Sequence, residues 1–66
     1  MVNDTEAAHV WGELGVEARE ALLEPERLTL ATKYELHDNR LIVDPEANII
    51  EWTDLGLRVA DYGAAE

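Results

Sequence analysis

Sixty-six residues with 47% apolar content, four Gly and two Pro describe one small domain with a packed core, not a disordered acidic tail. Fifteen acids against five bases give a net charge of −10, spread as −4 over residues 1–33 and −6 over residues 34–66. A field of that sign repels phosphate backbones and anionic lipid and attracts basic protein surfaces, while the lack of any Cys removes disulfide frameworks and thiolate zinc sites.

Asn3 or Asp4 can cap a first helix, with Glu6 placed for a capping box if Asn3 is the cap. Ala7, Trp11, Leu14, Ala18, Ala21 and Leu22 follow spacings near 3.6 and share one face, so an amphipathic helix is expected. Gly12 and Gly15 each cost about 1 kcal/mol inside a helix, so the segment is either one helix or a pair broken near Gly15. At roughly 100° per residue, Glu6, Glu13, Glu17, Glu20 and Glu24 fall within an arc of roughly 60° on such a helix. Pro25 stops this segment and can open the next.

In "RLTLATKYELHDN", Leu28, Leu30, Thr32, Tyr34 and Leu36 alternate with Thr29, Ala31, Lys33 and Glu35, which predicts a strand over 27–36. A helical reading puts Leu28, Ala31 and Glu35 on one side, a poorer apolar face, although Pro25 and Glu26 would start such a helix well. "RLIVDPEANIIEW" predicts a hairpin over 40–53 around Asp44-Pro45-Glu46-Ala47-Asn48. With Val43 opposite Ile49, both hairpin faces are apolar, which implies a partner such as a second copy of the chain; another register leaves a single buried face. Asp54 can cap a short last helix in which Leu55, Val59 and Tyr62 align and Gly63 closes the C-terminus. The expected fold is therefore α+β: an N-terminal helix or helix pair on a small antiparallel sheet, with a short C-terminal helix.

The chain offers little to an enzyme. It has no Ser and no Cys, and its Thr, Tyr and Lys33 stand beside no evident base, which argues against triad-type catalysis. His9 and His37 lie in separate elements, and Glu35, His37 and Asp38 form a turn cluster that would need help to ligate a metal. "DPEANIIE" spaces Asp44, Glu46 and Asn48 as a calcium loop would, but lacks the following glycine and has Leu55 where a glutamate belongs. No glycine pattern matches a phosphate loop, and Arg19, Arg27, Lys33, Arg40 and Arg58 are scattered among acids, so neither a cofactor nor direct nucleic-acid contact is expected. No apolar run reaches membrane-spanning length and "MVNDTEAAHV" lacks signal-peptide features, so a cytoplasmic location is expected.

Two resemblances bear on function. "LIVDPEANIIEWTDLGLRVADY", about a third of the chain, resembles the end of a winged-helix domain, with Thr53, Gly56 and Ala60 in its "T-x-x-G-x-x-x-A". That resemblance implies helices at 5–14, 16–24 and 26–38 and a small dimeric transcriptional regulator, from a halophile given the charge. The third helix of that family reads the major groove; here it offers only Arg27 and Lys33 against Glu26, Glu35 and Asp38. In character, a very small, cysteine-free, strongly acidic domain with carboxylates in rows is similar to phage-encoded inhibitors of the anti-CRISPR and DNA-mimic kind. That similarity implies a host-cytoplasmic inhibitor that occupies a basic nucleic-acid-binding surface of a protein or complex such as a CRISPR effector. The residues expected to meet that partner are Glu6, Glu13, Glu17, Glu20, Glu24, Asp44, Glu46 and Glu51. Stripe residues rise by about 4.5 to 6 Å per step against 3.4 Å per phosphate of one strand, so any mimicry is approximate. A purely solubilising charge on a structural interaction module is the remaining reading.

Overall fold

The computed structural model describes residues 4–65. Asp4 is the N-cap of α1 (Thr5–Glu13), its Oδ1 accepting from the Ala7 amide at 3.0 Å, while the Asn3 alternative lies outside the described residues. The chain leaves helical geometry at Leu14 and re-enters at Gly15 to form α2 (Val16–Leu23), so the N-terminal segment is a helix pair. Two long-range contacts fix this break. The Arg19 guanidinium donates to the Trp11 carbonyl at 2.9 Å and the Gly12 carbonyl at 3.3 Å, which answers the open C-terminus of α1 with positive charge. The Gly15 amide donates to Glu35 Oε2 at 2.8 Å, which puts a carboxylate at the start of α2.

A single 3₁₀ turn, Pro25–Arg27, leads to α3 (Leu30–Asp38), and the chain ends in α4 (Asp54–Ala65). The expected α+β fold is thereby overturned: among the described residues there are four α-helices and no strand, only one isolated antiparallel bridge, Ile42 with Trp52. The predicted strand at 27–36 is mostly helix because Thr29 caps it, accepting from the Thr32 amide at 3.2 Å, directly after a proline-initiated turn. Residues four apart share a face in a strand and in a helix alike. Thr32 and Leu36 therefore point inward as the alternation required, but Leu30 and Tyr34 turn to solvent.

The predicted hairpin at 40–53 fails for a different reason. α3 closes with the Leu41 amide bonded to the Leu36 carbonyl and the Arg40 amide to the His37 carbonyl, both at 2.9 Å, a Schellman closure with Arg40 at φ 64°. With its amide committed to α3, Leu41 can only accept across the bridge, from Thr53 at 3.1 Å, and the pairing beyond it consists of Val43 donating to Glu51 at 2.9 Å. Asp44 then takes the Glu46 amide at 2.9 Å and Pro45 lacks one, so residues 44–50 curl instead of pairing. Val43 thus sits opposite Glu51, not Ile49, and Ile49 is 85% exposed.

The core joins Ala7, Leu14, Ala18, Leu22, Leu36, Leu41, Ile42 and Val59, with Trp11, Trp52 and Tyr62 packed around it. α4 is capped by Thr53, not Asp54: the Thr53 hydroxyl donates to the Arg40 carbonyl at 2.7 Å and accepts from the Gly56 amide at 3.0 Å. Gly56 lies directly on the Leu41 backbone, where a Cβ would come within 2.1 Å of its carbonyl oxygen. Gly63 does not end the helix. It lies inside α4, where the Trp11 ring covers it and would sit 2.4 Å from an added Cβ. No helix among the described residues is long and apolar enough to cross a membrane.

Candidate functional site

The acidic row exists, but not as one stripe. Glu6 and Glu13 belong to α1, Glu17 and Glu20 to α2, and Glu24 is the C-cap of α2, so the break at Leu14–Gly15 divides the row. All five are exposed, but most have intramolecular partners. The Arg58 guanidinium of α4 grips Asp4 through two bonds, at 2.6 and 2.8 Å, and reaches Glu6 at 2.9 Å. Arg27 bridges Glu24 at 2.6 Å and Glu20 at 3.1 Å. Glu13 lies 3.8 Å from His9 one turn earlier. Glu17 faces an open groove shared with Glu20, Arg27, Thr29 and Thr32. Each arginine answers two carboxylates, so each cluster keeps a net negative charge.

These pairs leave a signature in the titration of one group. Hydrogen bonding to Arg58, then to the Ala7 amide, holds the Asp4 carboxyl at about 2, well below its ordinary 3.8, and the same contacts raise the Arg58 guanidinium further above its ordinary value.

The second acidic group sits on the loop after the bridge. Asp44 and Glu46 share one turn, fastened by the Asp44 carboxylate on the Glu46 amide. The Glu46 and Asp44 carboxylates bear electrostatically on the Tyr34 hydroxyl, so the loop lies beside α3. Desolvation first, then Glu46, then the charge of Asp44 push the Tyr34 hydroxyl up from its ordinary value. Glu51 is exposed, and its backbone carbonyl holds Val43. The structure therefore sorts the eight expected residues into groups: Glu6 with Arg58, Glu20 and Glu24 with Arg27, Glu13 and Glu17 on either side of the helix break, and Asp44, Glu46 and Glu51 on the loop.

One surface went unread in the sequence. On α3, at 100° per residue, Leu30, Ala31, Tyr34, His37 and Asp38 span an arc of roughly 120°, and all five are exposed. The alternation at 28–36 concealed this face by pairing Leu30 and Tyr34 with the buried Leu36. The signal that would have found it is Thr29 as a cap after "PER". His37 and Asp38 stand on that face while Glu35 is turned to α2, and no three His, Asp or Glu among the described residues are arranged to hold a metal ion.

Fold and surface together define a small, strongly acidic, all-helical domain in which three of the five bases, Arg19, Arg27 and Arg58, are engaged by its own structure. Comparison with protein-family models, curated proteins and solved structures gave no match.

Proposed function

We infer that this protein acts by binding another protein, as an acidic inhibitor that occupies a basic nucleic-acid-binding surface in place of the nucleic acid. The observation that carries this reading is the fate of the bases. Arg19 is engaged with backbone carbonyls and lies over the Trp11 ring at 5.5 Å, and Arg27 and Arg58 are held by four carboxylates, which leaves Lys33 and Arg40 to offset the other acids, so the surface seen by a partner is predominantly negative. Such a surface is attracted over a Debye length to the Lys and Arg rows that hold phosphates, and it displaces the same counterions. The partner class is a basic nucleic-acid-binding protein or complex, a CRISPR effector among them, with no direct contact to nucleic acid or membrane.

Intramolecular pairing ranks the eight carboxylates. Glu13, Glu17, Asp44, Glu46 and Glu51 are held by no arginine, whereas Glu6, Glu20 and Glu24 must loosen Arg58 or Arg27 before engaging a partner. The test is displacement of a labelled duplex from a panel of basic nucleic-acid-binding proteins, CRISPR effectors included, across a salt series. The expected result is displacement that weakens steeply with salt and is reduced by Gln or Asn at the five carboxylates free of arginine more than at Glu6, Glu20 and Glu24. Absence of displacement across the panel at low salt, or direct binding of the duplex by this protein, overturns the reading.

A further inference from the structure

The pattern of α3 is inverted. Its inward side carries Leu36 and a hydroxyl residue, Thr32, whose Oγ1 must be satisfied by Thr29 Oγ1 at 2.8 Å, while Leu30, 60% exposed, and Tyr34, 40% exposed, face solvent with Ala31. A helix that only needed to cover the core would place these residues the other way round. A single exposed leucine is unremarkable; three apolar residues within two turns, with a polar residue buried behind them, are a face awaiting a cover. The border of that face is predominantly acidic: Lys33 and His37 stand at one edge, and Asp38, Asp44 and Glu46 outnumber the one lysine. Asp38 lies on the same arc, and the Asp44–Glu46 turn, fastened by the Asp44 carboxylate on the Glu46 amide, lies close enough for both its charges to bear on the Tyr34 hydroxyl.

We propose that the outward face of α3, Leu30, Ala31 and Tyr34 with the adjoining Asp44–Glu46 turn, is the docking surface for a protein segment that combines apolar side chains with lysine or arginine. This rests on the reading of the molecule as a binder of basic proteins and names the contact that makes such binding selective. Charge complementarity chooses the occupant. Phosphate-bearing nucleic acid and anionic lipid are repelled by the acidic border. A second copy is disfavoured too: a two-fold contact on this face would bring together two molecules each carrying −10, around a border where acids outnumber the one lysine. A basic amphipathic segment meets both requirements, because its apolar side covers Leu30 and Tyr34 while its cations reach the border.

The experiment uses the full chain, isotope-labelled, and three synthetic probes: an amphipathic lysine–leucine helix, the same peptide with serine for every leucine, and an uncharged counterpart with glutamine for every lysine. Amide shifts are mapped at low salt. The expected result is that the lysine–leucine peptide moves the amides of residues 30–38 and of the loop 43–51, and that both control peptides bind at least about tenfold more weakly. Leu30→Ser and Tyr34→Ser should each weaken the lysine–leucine peptide by a similar factor. The wild-type map decides the location even if a variant folds poorly. Equal binding of the lysine–leucine and lysine–serine peptides, with shifts away from α3, overturns this surface and leaves the acidic reading intact. Equal binding of the uncharged peptide overturns the choice of occupant. A peptide-free dimer that Leu30→Ser dissolves identifies a second copy as the cover and overturns the proposal, and no binding by either cationic peptide overturns both readings.

Discussion

Arg40 occupies the left-handed region at φ 64° because the Schellman closure of α3 demands it: the Leu41 amide must return to Leu36 and the Arg40 amide to His37. An L-residue with a Cβ pays about 1 to 2 kcal/mol in that conformation, and glycine does not. Arg40 serves the fold through its backbone, whose carbonyl receives the Thr53 hydroxyl, and that contact does not use its side chain. Arg40→Gly should therefore stabilise the protein by about 1 kcal/mol, read as a higher urea midpoint at unchanged m-value. A midpoint that stays or falls would mean that the guanidinium contributes more than the backbone strain costs. Residue-level signals of this kind were partly legible. Asp4 was readable as one of two candidate caps, beside Asn3, from its place before an apolar-periodic run, whereas the sequence points to Asp54 for the last helix and only the Arg40 carbonyl, thirteen residues away, selects its neighbour Thr53.

Among the elements, α1 and α4 are clamped by a contact between chain ends, since Arg58 and Asp4 are 54 positions apart. The bidentate bond depresses the Asp4 carboxyl from 3.8 to about 2, so the clamp contributes stability that is complete above pH 4 and is lost as pH falls through about 2. Asp4→Asn keeps the N-cap acceptor for Ala7 while removing the charge. The gap in thermal midpoint between wild type and Asp4→Asn should be constant from pH 7 to about 4 and close by about 2. A gap that persists at the acid end would show that the asparagine harms the cap, not the clamp. No local pattern could have revealed this contact, because spacing rules reach only a turn or two along the chain. The same short reach explains α3: period two and period 3.6 agree on Thr32 and Leu36, and the disagreement about Leu30 and Tyr34 is decided by Thr29 and by the closure at Leu41. The apolar face of Ala7, Leu14, Ala18 and Leu22, in contrast, was legible because one period fits it, while the same period left open whether one helix or a pair broken near Gly15 carries it.

For the whole molecule, the charge was readable from the first line of the sequence, but its arrangement was not. The five glutamates of the row repel less than a continuous helix would make them, since the Leu14–Gly15 break separates them and Arg27 and Arg58 each answer two carboxylates. What remains is the self-repulsion of a net −10 on a 66-residue fold, which grows roughly as the square of the charge and is weakened once the Debye length falls below the size of the molecule. The native state confines that charge more tightly than the unfolded chain does, so salt should favour folding. From about 10 mM to about 1 M NaCl the thermal midpoint should rise by roughly 5 to 10 °C, on the order of 1 to 2 kcal/mol for a domain this small. Glu26, Asp38 and Asp61 are exposed acids held by no arginine. Changing them together to Gln, Asn and Asn leaves a net −7, so by the square law the salt-induced rise should shrink to about half. The variant should also melt above wild type in dilute salt and close to it at high salt. An equal rise in both proteins would assign the effect to ion exclusion from apolar surface instead of to screening.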